Sequence, residues 1–330
     1  MCGPLAGQFR EHGSGKAGRY QCLSCQQYPD GSYGQQTTDR NRKLSALYHR
    51  LSVVILTYNR AAELQRTLEH MLALPEKPAI VVVDNASADS TAALVRERFP
   101  GVTLISMETN IGAAARNIGV QQVQTPYVAF ADDDSWWAPG SLDEAVRVLD
   151  AHPRIAALCA RILLGEEEQE DPVCGVMASS PLSAAGLPGP ALLGFIACAV
   201  VFRRAAYLEA GGYEPKFFVG GEEELLTLDL VASGWSVVYM PDLTVHHYPS
   251  PQRDNPGRQK IVIRNALWVA WLRLPLMRAM EETWRIYRSA IDHRTFKHAL
   301  LSALNELPWV VAKRRVLPDK VQLLYQKLRT

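Results

Sequence analysis

The stretch Tyr127-Val128-Ala129-Phe130-Ala131-Asp132-Asp133-Asp134 decides how this chain is read. A short apolar run that ends at once in three carboxylates describes a buried strand whose last residues lie at the carboxyl edge of a sheet. That edge is where open α/β folds bind their ligands. Like charges side by side repel, so a packed protein accommodates them best against a divalent cation or in solvent. Two readings follow: a site for a hard cation and a phosphate-bearing ligand, or a solvated acidic turn ahead of a helix that starts near Ser141.

Upstream, strands and helices alternate. Leu51–Thr57 is a continuous apolar run of strand length, as expected in a parallel sheet covered on both faces. Helix 61–73, strand Ala79–Asp84, helix 89–98, strand Val102–Met107 and helix 112–123 then lead into Tyr127–Ala131. Repeated strand-plus-helix units predict a doubly wound, mostly parallel α/β sheet with right-handed crossovers and flanking helices. Downstream the pattern predicts a helix over 141–151, a strand over 155–163, and a Pro/Gly/Ser-rich loop over 171–190 suited to a lid or an acceptor-binding segment. A buried strand over Leu192–Phe202, a helix from Gly221 to Ser233 and a strand Ser236–Met240 follow.

From about Gln259 the sequence reads as amphipathic helix, with Trp268, Trp271, Trp284 and Trp309 among arginines. Between Arg273 and Thr330 there are 12 Lys and Arg against 5 Asp and Glu, a local net charge of +7. That composition suits either an interfacial helix on an anionic membrane or a set of helices packed on the core. The whole chain of 330 residues carries a net charge of only +1, which gives no reason to expect nucleic acid as a partner. Residues 1–48, rich in Gly, Gln, Ser and Tyr without periodicity, are expected to form a flexible tail. The domain proper is expected over 49–250 and a C-terminal helical extension over 251–330. Six cysteines show no framework spacing, and the pair Cys22 and Cys25 lacks the second pair of a zinc ribbon. No apolar run of spanning length and no N-terminal apolar segment is present, so a reduced, cytoplasmic setting is expected.

Polar residues cluster where these strands end. Thr57-Tyr58-Asn59-Arg60 closes the first strand and Asp84-Asn85-Ala86-Ser87 the second. A carboxylate followed by small polar residues there can receive hydrogen bonds from a base or ribose, although Asp84 alone would pass for an ordinary helix N-cap region. Asn110-Ile111-Gly112 opens a helix of small residues that carries Arg116, a partner for phosphate or simply for a surface carboxylate. Glu222, Glu223 and Glu224 follow Gly220-Gly221 at a helix start. The helix dipole favours acids there, yet three exceed what capping requires, and one is a candidate general base. His246-His247 supplies imidazole, a ligand for a divalent cation or a structural pair.

Taken in order, these motifs resemble the family-2 glycosyltransferases of the GT-A fold, from about Leu51 to Ser250. The resemblance implies a metal-dependent, inverting transfer of sugar from a UDP- or dTDP-sugar to an acceptor hydroxyl on a glycan, a lipid or a small molecule. It assigns nucleotide-sugar contacts to Thr57, Tyr58, Asn59, Asp84, Asn110, Arg116, Asp132 and Asp133. It assigns Mn²⁺ or Mg²⁺ to Asp132 and Asp134 with His246 or His247. Where the family reads Gly-Glu-Asp-x-Asp-Leu, this chain has Gly221-Glu222-Glu223-Glu224-Leu225-Leu226. Aligned through Ala232-Ser233-Gly234-Trp235, Glu223 takes the place of the basic aspartate, and the register between Glu222 and Glu223 stays open. A nucleotidyltransferase would need a Gly-rich triphosphate loop after the first strand, which Thr57–Ala62 does not supply. A binding scaffold without turnover would keep the nucleotide site and lose only transfer.

Overall fold

A computed structural model describes residues 50–249, 256–290 and 292–329, all within one compact unit. The expected tail over 1–48, with Cys22 and Cys25, lies outside the described residues, as does Ser250 at the expected domain boundary.

Elements β1 (Leu51–Thr57), α1 (Ala61–Leu72), β2 (Ala79–Asp84), α2 (Thr91–Arg98), β3 (Thr103–Ser106), α3 (Ala115–Gln122) and β4 (Tyr127–Asp132) follow the apolar runs, with a 3-10 turn at Gly112–Ala114 before α3. Then come β5 (Ser135–Trp137), α4 (Ser141–Ala151), β6 (Ile155–Leu164), β7 (Gln169–Glu170), α5 (Pro172–Ala178), β8 (Val200–Arg203), α6 (Arg204–Glu209), α7 (Glu222–Ala232) and β9 (Ser236–His247). The C-terminal helices are α8 (Pro256–Arg273), α9 (Leu276–Ser289), α10 (His293–Asn305), α11 (Leu307–Lys313) and α12 (Asp319–Lys327).

The sheet runs β3-β2-β1-β4-β8-β6-β9-β5, with β7 on β6. From β1 the chain winds outward through β2 and β3, then returns to place β4 on the other side of β1, all parallel. Register sets Thr57 opposite Asp84 and Leu56 opposite Asp132, so three strands deliver their carboxyl ends to one edge at the point where the winding reverses. Beyond β4 the sheet is mixed. β8 is antiparallel to β4 and β6, β9 is parallel to β6, and β5 is antiparallel to β9. Helix α3 lies close over β1 because Gly119 has no side chain: a Cβ there would meet Val54 Cγ1 at 2.5 Å.

Three segments depart from the sequence reading. The apolar stretch Leu192–Phe202 forms a regular ladder only from Val200; Leu192, Leu193 and Phe195 are buried ahead of it, where pairing is limited to a bridge of Ala191 with Val238 and Leu192 N donating to Val237 O at 2.8 Å. The loop 171–190 contains α5, started by Pro172 and capped by Asp171, which accepts from Val173 N at 2.9 Å. The strand expected to stop at Met240 continues to His247.

The C-terminal helices share a second buried cluster with the first part of the chain, where Phe217, Leu225 and Leu228 meet Leu267, Trp268 and Leu272. Trp268 is fully enclosed and donates to Ala303 O at 3.3 Å, Trp271 donates to Thr283 at 2.9 Å, and Trp284 is exposed. Charge fixes the same junction. Arg273 of α8 grips Asp229 of α7 through two bonds of 2.6 and 2.8 Å, and both side chains are nearly buried. Replacing Asp229 by Ala leaves that guanidinium buried and unpaired. We expect a loss of about 3–5 kcal/mol in urea unfolding, with Asp229→Asn milder; an unchanged midpoint for Asp229→Ala would show that the pair does not hold α8 to α7.

Candidate active site

A cleft of about 470 Å³ opens at the carboxyl edge of the sheet, a size suited to a small-molecule ligand. Its walls come from the ends of β1 and β4, the loops after β2 and β3, the start of α7 and the first turns of α8. Thr57, Tyr58, Asn110, Arg116, Asp132 and Asp133 line it as expected, with both Glu222 and Glu223. Asn59 and Asp84 instead build the loops behind it. Asn59, at φ 53°, accepts from Ala88 N at 2.7 Å and donates its own N–H to Ser87 Oγ at 2.8 Å. Asp84 is buried and accepts from Ser87 N at 3.0 Å, closing its own turn.

Two lining residues, Arg258 and Ile261, escaped the sequence reading, and two more, Asn85 and Arg60, stood in the strand-end motifs without an assigned role. Asn85 is buried and bridges two loops, donating to Asn110 Oδ1 at 2.9 Å and Gly112 O at 3.0 Å while accepting from Ile111 N. Arg60 reaches the acidic triplet, 3.1 Å from Asp134 and 3.5 Å from Asp133. Arg258 and Ile261 belong to α8, so the C-terminal extension contributes to the cleft wall. Arg258 stands in no motif that would have singled it out.

The triplet is split by its surroundings. Asp132 is half-buried and paired with the buried guanidinium of Arg116, which also lies over the Phe130 ring. Burial opposes the charge on Arg116, but Asp132, with Glu223 and Glu222 nearby, raises its proton affinity above the ordinary value. Burial pushes the Asp133 carboxyl up to about 7; Arg60 opposes this, and Asp134 and Asp132 add to it. Asp134 is fully enclosed.

The two histidines diverge, as successive strand residues must. His246 turns to Glu168, its Nδ1 3.1 Å from the carboxylate, and lies against Trp136, away from the acidic triplet. His247 turns inward, its Nε2 3.4 Å from Asp134 Oδ1. It is brought there because β9 pairs with β5, which sets His247 opposite Ser135 and lets Tyr248 N donate to Asp134 O at 2.8 Å. Both ring nitrogens of His247 are buried and lack a hydrogen bond, a costly state that metal coordination would relieve. Asp132, His247 and Cys198 can each place one donor atom within 4.8 Å of the others. These residues fit a divalent cation.

Opposite stands the acidic helix start, whose entry is strained. Phe218 has φ 65° and ψ −59°, a γ-turn conformation closed by Val219 N donating to Phe217 O at 2.8 Å. Phe218 O accepts from Ala113 N at 2.7 Å, and Gly112 is required beneath it because a Cβ would meet that oxygen at 2.0 Å. Asn265 of α8, fully buried, donates to Phe217 O, Val219 O and Gly220 O at 2.6–3.1 Å. The helix therefore begins in one place. Glu222 is buried, Glu224 turns away to Arg329 at 2.9 Å, and Glu223 faces the cleft half-buried. Burial first, then Glu222, pushes the Glu223 carboxyl up to about 8.

Residues 52–209 match the family model described as glycosyl transferase family 2. This segment, just under half of the chain, is thus similar to family-2 glycosyltransferases, and the sheet has the GT-A fold. The chain is 26% identical to N-acetylglucosaminyl-diphospho-decaprenol L-rhamnosyltransferase of Mycobacterium tuberculosis over 60% of this chain and 76% of that one. Among solved structures it is similar to residues 1–349 of S. aureus TarS (TM-score 0.57, 15% identity, 83% of each chain). Against a longer TarS chain it spans 43% of that chain's length. It is also similar to a mannosyltransferase of Pyrobaculum calidifontis in complex with GDP-Man and Mn²⁺ (TM-score 0.53, 20% identity, 86% of this chain and 81% of that one).

The raised Glu223 carboxyl has a measurable cost. Between the ordinary carboxylate range and about pH 8 the folded protein keeps a proton that the unfolded chain has lost, so this group withdraws stability as pH rises through that window. Metal-free Glu223→Gln is expected to melt no higher than the parent at pH 4.5 and a few degrees higher at pH 8.5. A gap that does not change with pH would refute this.

Proposed function

We propose that the chain performs a metal-dependent, inverting transfer of a sugar from a UDP- or dTDP-sugar to an acceptor hydroxyl. The observation that carries this reading is Glu223 standing across one cleft from Asp132 and Arg116, with its carboxyl raised toward the range of a working base. Asp132 and His247, with Asp134 beside them, would hold the cation, which when bound neutralises charge on the departing nucleoside diphosphate. Arg116 adds fixed positive charge beside that position, and a buried guanidinium needs no reorganisation as charge develops. Tyr58, Thr57, Asn110 and Asn85 face the nucleotide portion. Glu223 takes the proton from the acceptor oxygen as that oxygen attacks the anomeric carbon from the face opposite the leaving group. Configuration inverts in a single displacement.

The relative's lipid-linked acceptor supports a membrane-borne acceptor here as well, with the protein peripheral at the cytoplasmic face. Among the described residues no helix is long and apolar enough to cross a membrane. Helix α9 leaves Leu276, Met277, Met280 and Trp284 exposed, at spacings that share one face, within the basic C-terminal portion. Salt-sensitive co-flotation with anionic liposomes is expected, and Met280→Glu combined with Trp284→Glu should abolish it. Flotation equal on neutral and anionic vesicles, or none, removes the membrane assignment.

Glu223→Gln should lower transfer by roughly 10²–10⁴-fold while nucleotide binding stays nearly unchanged, because glutamine keeps size and polarity but cannot take the proton. Glu222→Gln serves as the control and should act more mildly. If Glu222→Gln were the inactive variant, the base would be Glu222; if both transferred normally, the acidic helix start would be only a dipole-favoured cap.

A further inference from the structure

We infer that the cation site of this chain includes a thiolate: Asp132, His247 and Cys198 form a mixed donor set that selects a thiophilic divalent ion, zinc ahead of manganese or magnesium. The inference rests on the cation-holding role proposed above for Asp132 and His247 and adds the sulfur and its consequence for the metal.

Three elements far apart in sequence meet to make this set. Cys198 lies in a 3-10 turn, Ala197–Ala199, directly before β8. Because β8 pairs antiparallel with β4, Ala129 opposite Val201, that turn sits at the end of β4 that carries Asp132. His247 arrives from the far end of β9. Donor atoms of the three residues lie within 4.8 Å of one another. Cys198 is 2% exposed and His247 7% exposed, with both imidazole nitrogens lacking a hydrogen bond. A buried imidazole with no hydrogen bond, its Nε2 3.4 Å from Asp134 Oδ1, beside a thiol and a carboxylate is an arrangement that a borderline-soft cation stabilises.

The chemistry balances. The thiol S–H bond breaks, its proton goes to solvent, and a sulfur–metal bond forms. Thiolate and carboxylate together cancel the charge of the dication, and the imidazole binds neutral. A sulfur donor disfavours magnesium and manganese, which prefer oxygen, and favours zinc, cobalt and cadmium. An oxygen-and-nitrogen site built from Asp132, Asp134 and His247 would have the opposite preference. Both carboxylates already face an arginine, Asp132 facing Arg116 and Asp134 facing Arg60, so what favours the sulfur-containing set is geometry: its three donor atoms lie within 4.8 Å of one another.

Cobalt distinguishes the two without any activity measurement. Full-length protein carrying Cys22→Ser and Cys25→Ser, so that no other Cys pair competes, is stripped of metal, reduced and titrated with Co²⁺. A sulfur-to-cobalt charge-transfer band in the near ultraviolet is expected. Cys198→Ser should lose that band, and His247→Ala should weaken Co²⁺ binding at least about tenfold. Zn²⁺ should displace Co²⁺ at concentrations where Mn²⁺ does not. A visible cobalt spectrum without the charge-transfer band, a band that survives Cys198→Ser in a variant with an unchanged melting curve, or equal displacement by Mn²⁺ and Zn²⁺ would each overturn the proposal. A thermal shift with UDP or dTDP separates it from the transfer reading. Nucleotide binding without the band sinks the thiolate alone, whereas the band without nucleotide binding sinks the transfer reading and leaves the metal site standing.

Discussion

Crowded negative charge governs this molecule. Asp132, Asp133, Glu222 and Glu223 all line one cleft, and Asp134 is buried behind it. Carboxylates this close cannot all keep their charge out of water without compensation. Arg116 and Arg60 supply only part of it, and the raised proton affinity of Asp133 and Glu223 reflects what is left uncompensated. The fold places those two arginines with care. Arg116 is set by α3, which sits close to β1 because Gly119 lets it, and the neighbouring Asn117 ties the same helix to Tyr207 and to Tyr213. A cluster with too little counter-charge of its own has affinity for cations, which links stability to ligand binding through a single electrostatic imbalance.

The parallel half of the sheet was legible because each of its inner strands is an apolar run ending in polar residues, and that pattern is local. Thr57 and Asp132 could be placed at one sheet edge on that basis, whereas Asn110 and Arg116 joined them through the family resemblance. What could not be read depends on pairing between distant segments. β5 is three residues long and carries no period, yet it determines that His247 rather than His246 faces the acidic triplet. Cys198 lies in a stretch whose apolarity suggests a strand throughout, and the turn that carries its sulfur toward Asp132 exists because the ladder starts only at Val200. Asn59 and Asp84 show the converse limit. Their types and positions suit a nucleotide, but the same hydrogen-bonding groups also close tight turns, and composition does not distinguish the two uses.

The C-terminal helices likewise had two readings, and the structure assigns them different faces. Trp268 is consumed by packing against Phe217 and Trp309, whereas Trp284 stays outside. The first turns of α8 reach the cleft. A region that looked like an appendage is therefore part of the wall opposite the acidic triplet.

The Phe218 turn shows what that arrangement demands of the chain. Its carbonyls are satisfied by Asn265, 45 to 48 residues further on, and a γ-turn of this hand does not persist unaided. The acidic helix start that presents Glu223 to the cleft is therefore held in place by a residue of α8 and not by its own local sequence.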